Sequence, residues 1–140
     1  MNHIPALLSL VIYLILGIIC LVMALKTIST KKFLPFHEKA AAKDWQTIDL
    51  PLQQVIITLL RITGISFFTV FLFLFIFPIM NYLKPEPELK FLIPIIPFIF
   101  CLGLFVFNYS LYKKTNVKTP WRGALISMVI IVLGFYLSLL

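Results

Sequence analysis

The chain is predicted to be an all-α, polytopic membrane protein: a bundle of four transmembrane helices with one short interfacial helix. Three observations predict it. Four runs, Ile4 to Leu25, Ile62 to Met80, Phe91 to Tyr112 and Gly123 to Leu140, contain no Asp, Glu, Lys, Arg or His. A helix needs about 20 apolar residues to cross a ~30 Å hydrocarbon core, and each run has that length or nearly so. The 140 residues are 61% hydrophobic and 12% charged, with a mean hydropathy of +1.07, which is too thin a charged shell for a water-soluble domain. Finally, the basic residues gather in two of the three connections between runs.

The first span is placed at about 4–25. The residues before it, Met1 to His3, carry no Lys or Arg, its apolar stretch exceeds a usual signal-peptide core, and Lys26 rather than a small-residue cleavage site ends it. It reads as a retained span. Lys31-Lys32-Phe33-Leu34-Pro35 then leads into residues 36–46, rich in helix formers, with Pro35 suited to a first turn. Trp45, Phe33, Leu34 and Phe36 can touch a headgroup layer, so a short surface helix is expected there. The second span, about 54–80, is opened by Asp49 as a cap and Pro51. Residues 51–80 as one helix would measure about 45 Å, so one end must project beyond the core or the helix must tilt. Lys84-Pro85-Glu86-Pro87-Glu88 reads as a tight extended turn before the third span at about 91–112. The last span, about 121–140, starts with Thr119 as cap, Pro120 at the first helical position and Trp121 at the interface. These elements use the whole chain, 1–140, as a single transmembrane domain.

Orientation follows from charge. The first and third connections carry nine basic residues (Lys26, Lys31, Lys32, Lys39, Lys43, Lys113, Lys114, Lys118, Arg122) against Lys84 and Lys90 in the second. The positive-inside rule puts the first and third in the cytoplasm and both termini outside it. The net charge of +7 is thereby read as topology, with anionic lipid a candidate partner and nucleic acid not.

Lipid gives helices no hydrophobic reason to pair, so small and polar residues should mark the packed faces. The first span carries Ala6, Ser9, Tyr13, Gly17, Cys20 and Ala24 at steps of three and four. The last carries Gly123, Ser127, Gly134 and Ser138. The third carries Pro94, Pro97, Cys101, Asn108 and Tyr112. The second carries Gln54, Thr58, Arg61 and Thr69. These stripes are expected inside the bundle, while the phenylalanines from Phe67 to Phe77 read as lipid contact. Cys20 and Cys101 read as small buried apolar residues at different depths rather than a disulfide, and no CxxC pair exists.

Arg61 is the one charge embedded in a helical apolar context, and no span offers it a carboxylate. A charge in a membrane helix must snorkel, meet water or find a partner. Its shared face with Gln54 and Thr58 suggests an anion-accepting pocket beneath the surface helix, with His37, Trp45 and Arg122 as further candidate ligand-binding residues. A guanidinium binds carboxylate or phosphate through two oxygens at once, which suits a small anion or a lipid headgroup. No catalytic set, metal site or cofactor motif is visible: His3 and His37 fall on opposite faces, and the spans hold no paired carboxylates. Small four-helix drug exporters share the length and hydropathy, but their mechanism needs an acidic residue in the first helix, and Ile4 to Leu25 has none.

Phe33-Leu34-Pro35-Phe36-His37, then Ala40, Trp45, Gln53, Arg61 and Gly64, then Thr119-Pro120-Trp121-Arg122, resembles a family of small, uncharacterised, four-span bacterial inner-membrane proteins. The resemblance covers most of the chain. It implies a bacterial inner-membrane location and no particular activity. The functional expectation is therefore a non-catalytic packing, interaction or accessory protein, with homo-oligomers or another membrane protein as candidate partners. The alternative is binding or transport of a small anionic or lipid-headgroup ligand at the cytoplasmic interface.

Overall fold

A computed structural model describes residues 3–140; Met1 and Asn2, which begin the uncharged start of the sequence, lie outside the described residues. Among the described residues there are five α-helices and no strand: α1 His3–Ile28, α2 Pro35–Ala41, α3 Leu50–Leu83, α4 Pro87–Thr115 and α5 Trp121–Leu139. All but α2 are long and apolar enough to cross a membrane. The protein is a multi-pass helical membrane protein. At 34 residues, α3 is about 51 Å long, well over the ~30 Å hydrocarbon core.

Several local expectations are corrected. The surface helix does not run to residue 46. It ends at Ala42, whose φ of 49° is left-handed, and a single 3-10 turn, Trp45–Thr47, follows. The break lets Trp45 fold back edge-on to Phe33, with ring centroids 5.1 Å apart. Gln53 Nε2 then donates to the carbonyls of Trp45 and Ile48 at 3.0 and 2.9 Å, tying the turn to the start of α3. Asp49 holds the N-cap position of α3, but its side chain makes no capping bond. The turn between α3 and α4 shrinks to Lys84–Glu86, because both helices extend into it and Pro87 starts α4. Thr119 does not cap α5. Its hydroxyl instead donates to the carbonyl of Asn108 at 2.7 Å, so Pro120 takes the cap position and the connection is pinned to α4.

Around the bundle, α1 packs against α3 and α5, α5 against α4, and α4 against α3, the last seam being the sparsest. The α1–α5 contact is made by the small stripes. Ser9 Oγ donates to the Gly134 carbonyl at 2.7 Å, and Tyr13 OH approaches the Ile131 carbonyl at 3.5 Å. A Cβ at Gly134 would stand 3.1 Å from Tyr13 Cζ. On the other side of α1, a Cβ at Gly17 would lie 3.4 Å from Leu74 Cβ. The tightest approach is at Gly64 of α3, where a Cβ would meet Ile28 Cγ1 at 2.5 Å and Thr27 Oγ1 at 2.6 Å. The central core is Tyr13, Leu16, Val70, Leu74, Ile93, Cys101 and Ile131, with Cys20 packed against it. The two thiols therefore meet one core rather than standing at unrelated depths; both are free.

The inward face of α3 differs from the expected one. Leu60, Gly64, Val70, Leu74 and Pro78 are buried, while Gln54, Thr58, Arg61 and Thr69 are exposed. The physical reason is that a serine or threonine in a helix can satisfy itself. Thr58 and Thr69 donate to the carbonyls four residues back, at 2.8 and 3.0 Å, as do Thr63 and Ser66. A hydroxyl satisfied this way no longer needs a protein partner and can face lipid. Nor do the phenylalanines all face lipid: Phe67 meets Phe100 of α4 edge-on, centroids 5.1 Å apart. Gly123 is also corrected. A Cβ there meets nothing within 4 Å, so it is no close-contact position.

This packing predicts that Gly64→Ala lowers stability by about 1–3 kcal/mol, since the α1 backbone stands behind Ile28. Gly123→Ala should be neutral or stabilising by up to about 1 kcal/mol, because only helix propensity changes there. Thermal midpoints of the two variants in one detergent check this.

Candidate functional site

The structure does not assemble the site expected around Arg61. Arg61, Gln54 and Thr58 point away from the other helices, with the Thr58 hydroxyl satisfied inside α3. Trp45 is half-buried against Phe33. Arg122 is exposed, with its guanidinium 5.4 Å from the centre of the Trp121 ring. That ring belongs to an aromatic group with Phe105, Tyr109 and Tyr112 at the junction of α4 and α5, the arrangement membrane proteins place at headgroup level. Of the six candidates only His37 lines an interior space.

That space lies between all four long helices in the half of the bundle nearer α2, with a volume of about 320 Å³. Leu16, Ile19, Cys20 and Met23 supply its α1 wall, Leu60, Phe67 and Val70 its α3 wall, Pro97, Phe100 and Leu104 its α4 wall. Ala124, Ser127 and Ile131 come from α5, while Leu34, Phe36 and His37 come from α2 and the residue before it. The lining is predominantly apolar with a few polar groups, namely Thr27, Thr63, Asn108, Ser127 and His37. Most of these are already engaged: Thr27 with the carbonyls of Met23 and Ala24, Thr63 with Leu59, and Asn108 Nδ2 with Leu104. The space sits at the lower end of the ~300–1,000 Å³ range of small-molecule pockets, which share this mostly apolar lining. It suits a hydrocarbon tail better than a charged group.

Two packing differences create it. Glycines and hydroxyls let α1 lie close on α3 and α5, whereas phenylalanines, with Phe67 against Phe100, hold α3 and α4 apart. Ser127 and Gly123, expected as close contacts, border the space instead. The feature that sequence reasoning missed is the cavity as a whole. Its only sequence signal is an apolar Leu34-Pro35-Phe36 entry to α2 facing small residues on α1 and α5, since a void between helices leaves no periodic trace.

At the opposite end of the bundle, by the Lys84–Glu86 turn, a second cavity of about 420 Å³ is lined by His3, Ser9, Tyr13, Asn81, Tyr82, Lys90 and Ser138 among others. The core residues Tyr13 and Ile93 border this cavity, and Leu16, Leu74 and Ile131 border the other, so one apolar layer separates the two. Ser138 Oγ donates to the Phe135 carbonyl at 2.7 Å. Among the described residues, no three His, Cys, Asp or Glu side chains converge as metal ligands would.

No family model, curated protein or solved structure matches the chain.

His37 packs on Phe36, with ring centroids 4.0 Å apart, and its pKa lies below the usual histidine value because burial disfavours the imidazolium. The unfolded or undocked segment then binds more protons than the folded one, so stability rises with pH. The contribution is fully present above the ordinary value of about 6.5 and is lost as pH falls below it, through the lower folded value. Amide exchange in α2, corrected for its intrinsic pH dependence, should therefore speed up as pH falls below about 6.5, and His37→Leu should abolish the change.

Proposed function

We propose that the protein is a non-catalytic, multi-pass protein of a bacterial inner membrane that holds the apolar part of a lipid or similar amphiphile between its helices. The observation that carries this reading is the largely apolar cavity of about 320 Å³ whose α2 side is bordered by Leu34, Phe36 and His37. In the proposed orientation α2 lies on the cytoplasmic surface and both termini face the other side. The support is the nine basic residues of the two connections at the α2 end, against two at the other. A tail that leaves lipid for this cavity exchanges one apolar surrounding for another, so affinity must come from fit and from the polar groups at the α2 rim. The Arg61-centred anion pocket forms no part of this reading.

A second reading is favoured by a different observation. Gln54, Thr58, Arg61 and Thr69 face outward along one side of α3. An accessory role, in which this side meets another membrane protein carrying a carboxylate at that depth, would give Arg61 a partner that no span of this chain supplies.

Filling the cavity tests the first reading. Ser127→Phe should leave the helical content intact while removing most of the lipid that survives delipidation of the wild-type protein, read by native mass spectrometry. Equal lipid retention by the two proteins would reject tail binding there and leave the accessory role. Orientation is checked separately: Lys32→Cys and Lys114→Cys should be labelled from the cytoplasm by a membrane-impermeant reagent, and Glu86→Cys only from the other side.

A further inference from the structure

The cavity at the Lys84–Glu86 end carries more polar groups than the other, set among apolar residues such as Leu10, Pro78 and Ile93. Lys90 from the start of α4 and His3 from the start of α1 border it, together with Tyr82 and Asn81, while the lining residues Ser9, Tyr13 and Ser138 already donate their hydroxyls to backbone carbonyls. Among the described residues, none of its lining groups is a carboxylate. Lys90 is half-buried, and the ion pair formed nearby, Lys84 with Glu86 at 3.8 Å, does not involve it. Glu86 is therefore turned to Lys84 while its backbone N–H donates to Asn81 Oδ1 at 3.2 Å. That bond orients the Asn81 amide, with Oδ1 towards the turn. Its Nδ2 donates to no protein group among the described residues, so both of its N–H donors remain to be used. An ammonium and an amide with unused N–H donors on one cavity suit a group with several acceptor oxygens and a negative charge.

We propose that this cavity is a binding site for a phosphate-type oxyanion, with Lys90 as its charged anchor and Asn81 as a second donor. Two sources share that chemistry: the headgroup of a glycerophospholipid whose phosphate lies at the depth of this end of the bundle, and free inorganic phosphate. The site is separate from the apolar cavity and stands whether or not that cavity holds a lipid tail.

The test is a titration of the purified protein in uncharged detergent, following the thermal midpoint, since a ligand that binds the folded state raises it. The probes are a short-chain phosphatidylglycerol, inorganic phosphate, and a diacylglycerol of the same chain length as an uncharged control. The phosphatidylglycerol should raise the midpoint and the diacylglycerol should not. Stabilisation by inorganic phosphate as well identifies the free anion as sufficient; stabilisation by the lipid alone identifies the headgroup. Lys90→Gln should weaken binding about tenfold, the loss of one charge-assisted hydrogen bond, and Lys90→Arg should retain most of it. Lys84→Gln, in the same turn but outside the cavity, should bind as the wild type does. The proposal is overturned if neither anion stabilises the wild-type protein, if the diacylglycerol does so equally, or if Lys84→Gln loses as much affinity as Lys90→Gln.

Discussion

Lipid chains are as apolar as leucine, so helices in a membrane gain little by hiding apolar side chains from one another. What α1 gains against its two neighbours is close approach. Gly64 admits Thr27 and Ile28, Gly134 admits Tyr13, and Gly17 admits Leu74, and at each place a single methyl group would crowd or fill the contact. The Ser9 hydroxyl adds a 2.7 Å bond to the Gly134 carbonyl, an acceptor already used once within α5 and still holding a free lone pair. Every other feature of the bundle follows from α1 being seated this way on two sides.

With α3 and α5 drawn onto α1, α4 must close the ring with what remains. It does so well against α5, where Thr119 is tied to Asn108 and the aromatic rings of Phe105, Tyr109 and Trp121 meet. Against α3 it offers Phe100 to Phe67, and rings in edge contact keep backbones apart. The interior is thus filled at its middle, by Leu74, Ile131 and Pro97, and open at both ends. The end near α2 is the more apolar one because Leu34 and Phe36 at the start of α2 add to the apolar faces of the long helices. The other end carries more polar groups because the turn between α3 and α4 brings Asn81, Tyr82 and Lys90 to it.

The spans, their order, the small-residue face of α1 and the Gly134 contact of α5 were legible in the sequence. An apolar run of about twenty residues matches the thickness of a bilayer, and a stripe at three- and four-residue steps is one face of a helix. The face of α3 was not legible. Its polar residues suggest the inside, yet Thr58 and Thr69 are satisfied by their own helix, and the true marker was a lone glycine, Gly64. Gly123 and Gly134 look alike in sequence, but only Gly134 meets a neighbour, since α5 leaves α1 towards its α2 end. The break at Ala42 had no signal at all, because alanine is a strong helix former and the left-handed turn is set by Trp45 returning to Phe33. The candidate site failed for the same reason as the α3 face: Arg61 shares its side of the helix with self-satisfied hydroxyls.

The buried residues of α3, Leu60, Gly64, Val70, Leu74 and Pro78, and the exposed Gln54, Thr58, Arg61 and Thr69 centre on opposing sides of one helix, so a single profile decides which set faces the bundle. In a background with Cys20→Ala and Cys101→Ala, a spin label walked through residues 54–78 of α3 in lipid reports oxygen accessibility residue by residue. Packing of α3 through Gly64 predicts minima at 60, 64, 70, 74 and 78, with maxima at 54, 58, 61 and 69. Minima at 54, 58, 61 and 69 would turn α3 around, bring Arg61 inside, and contradict the packing on which both cavities rest.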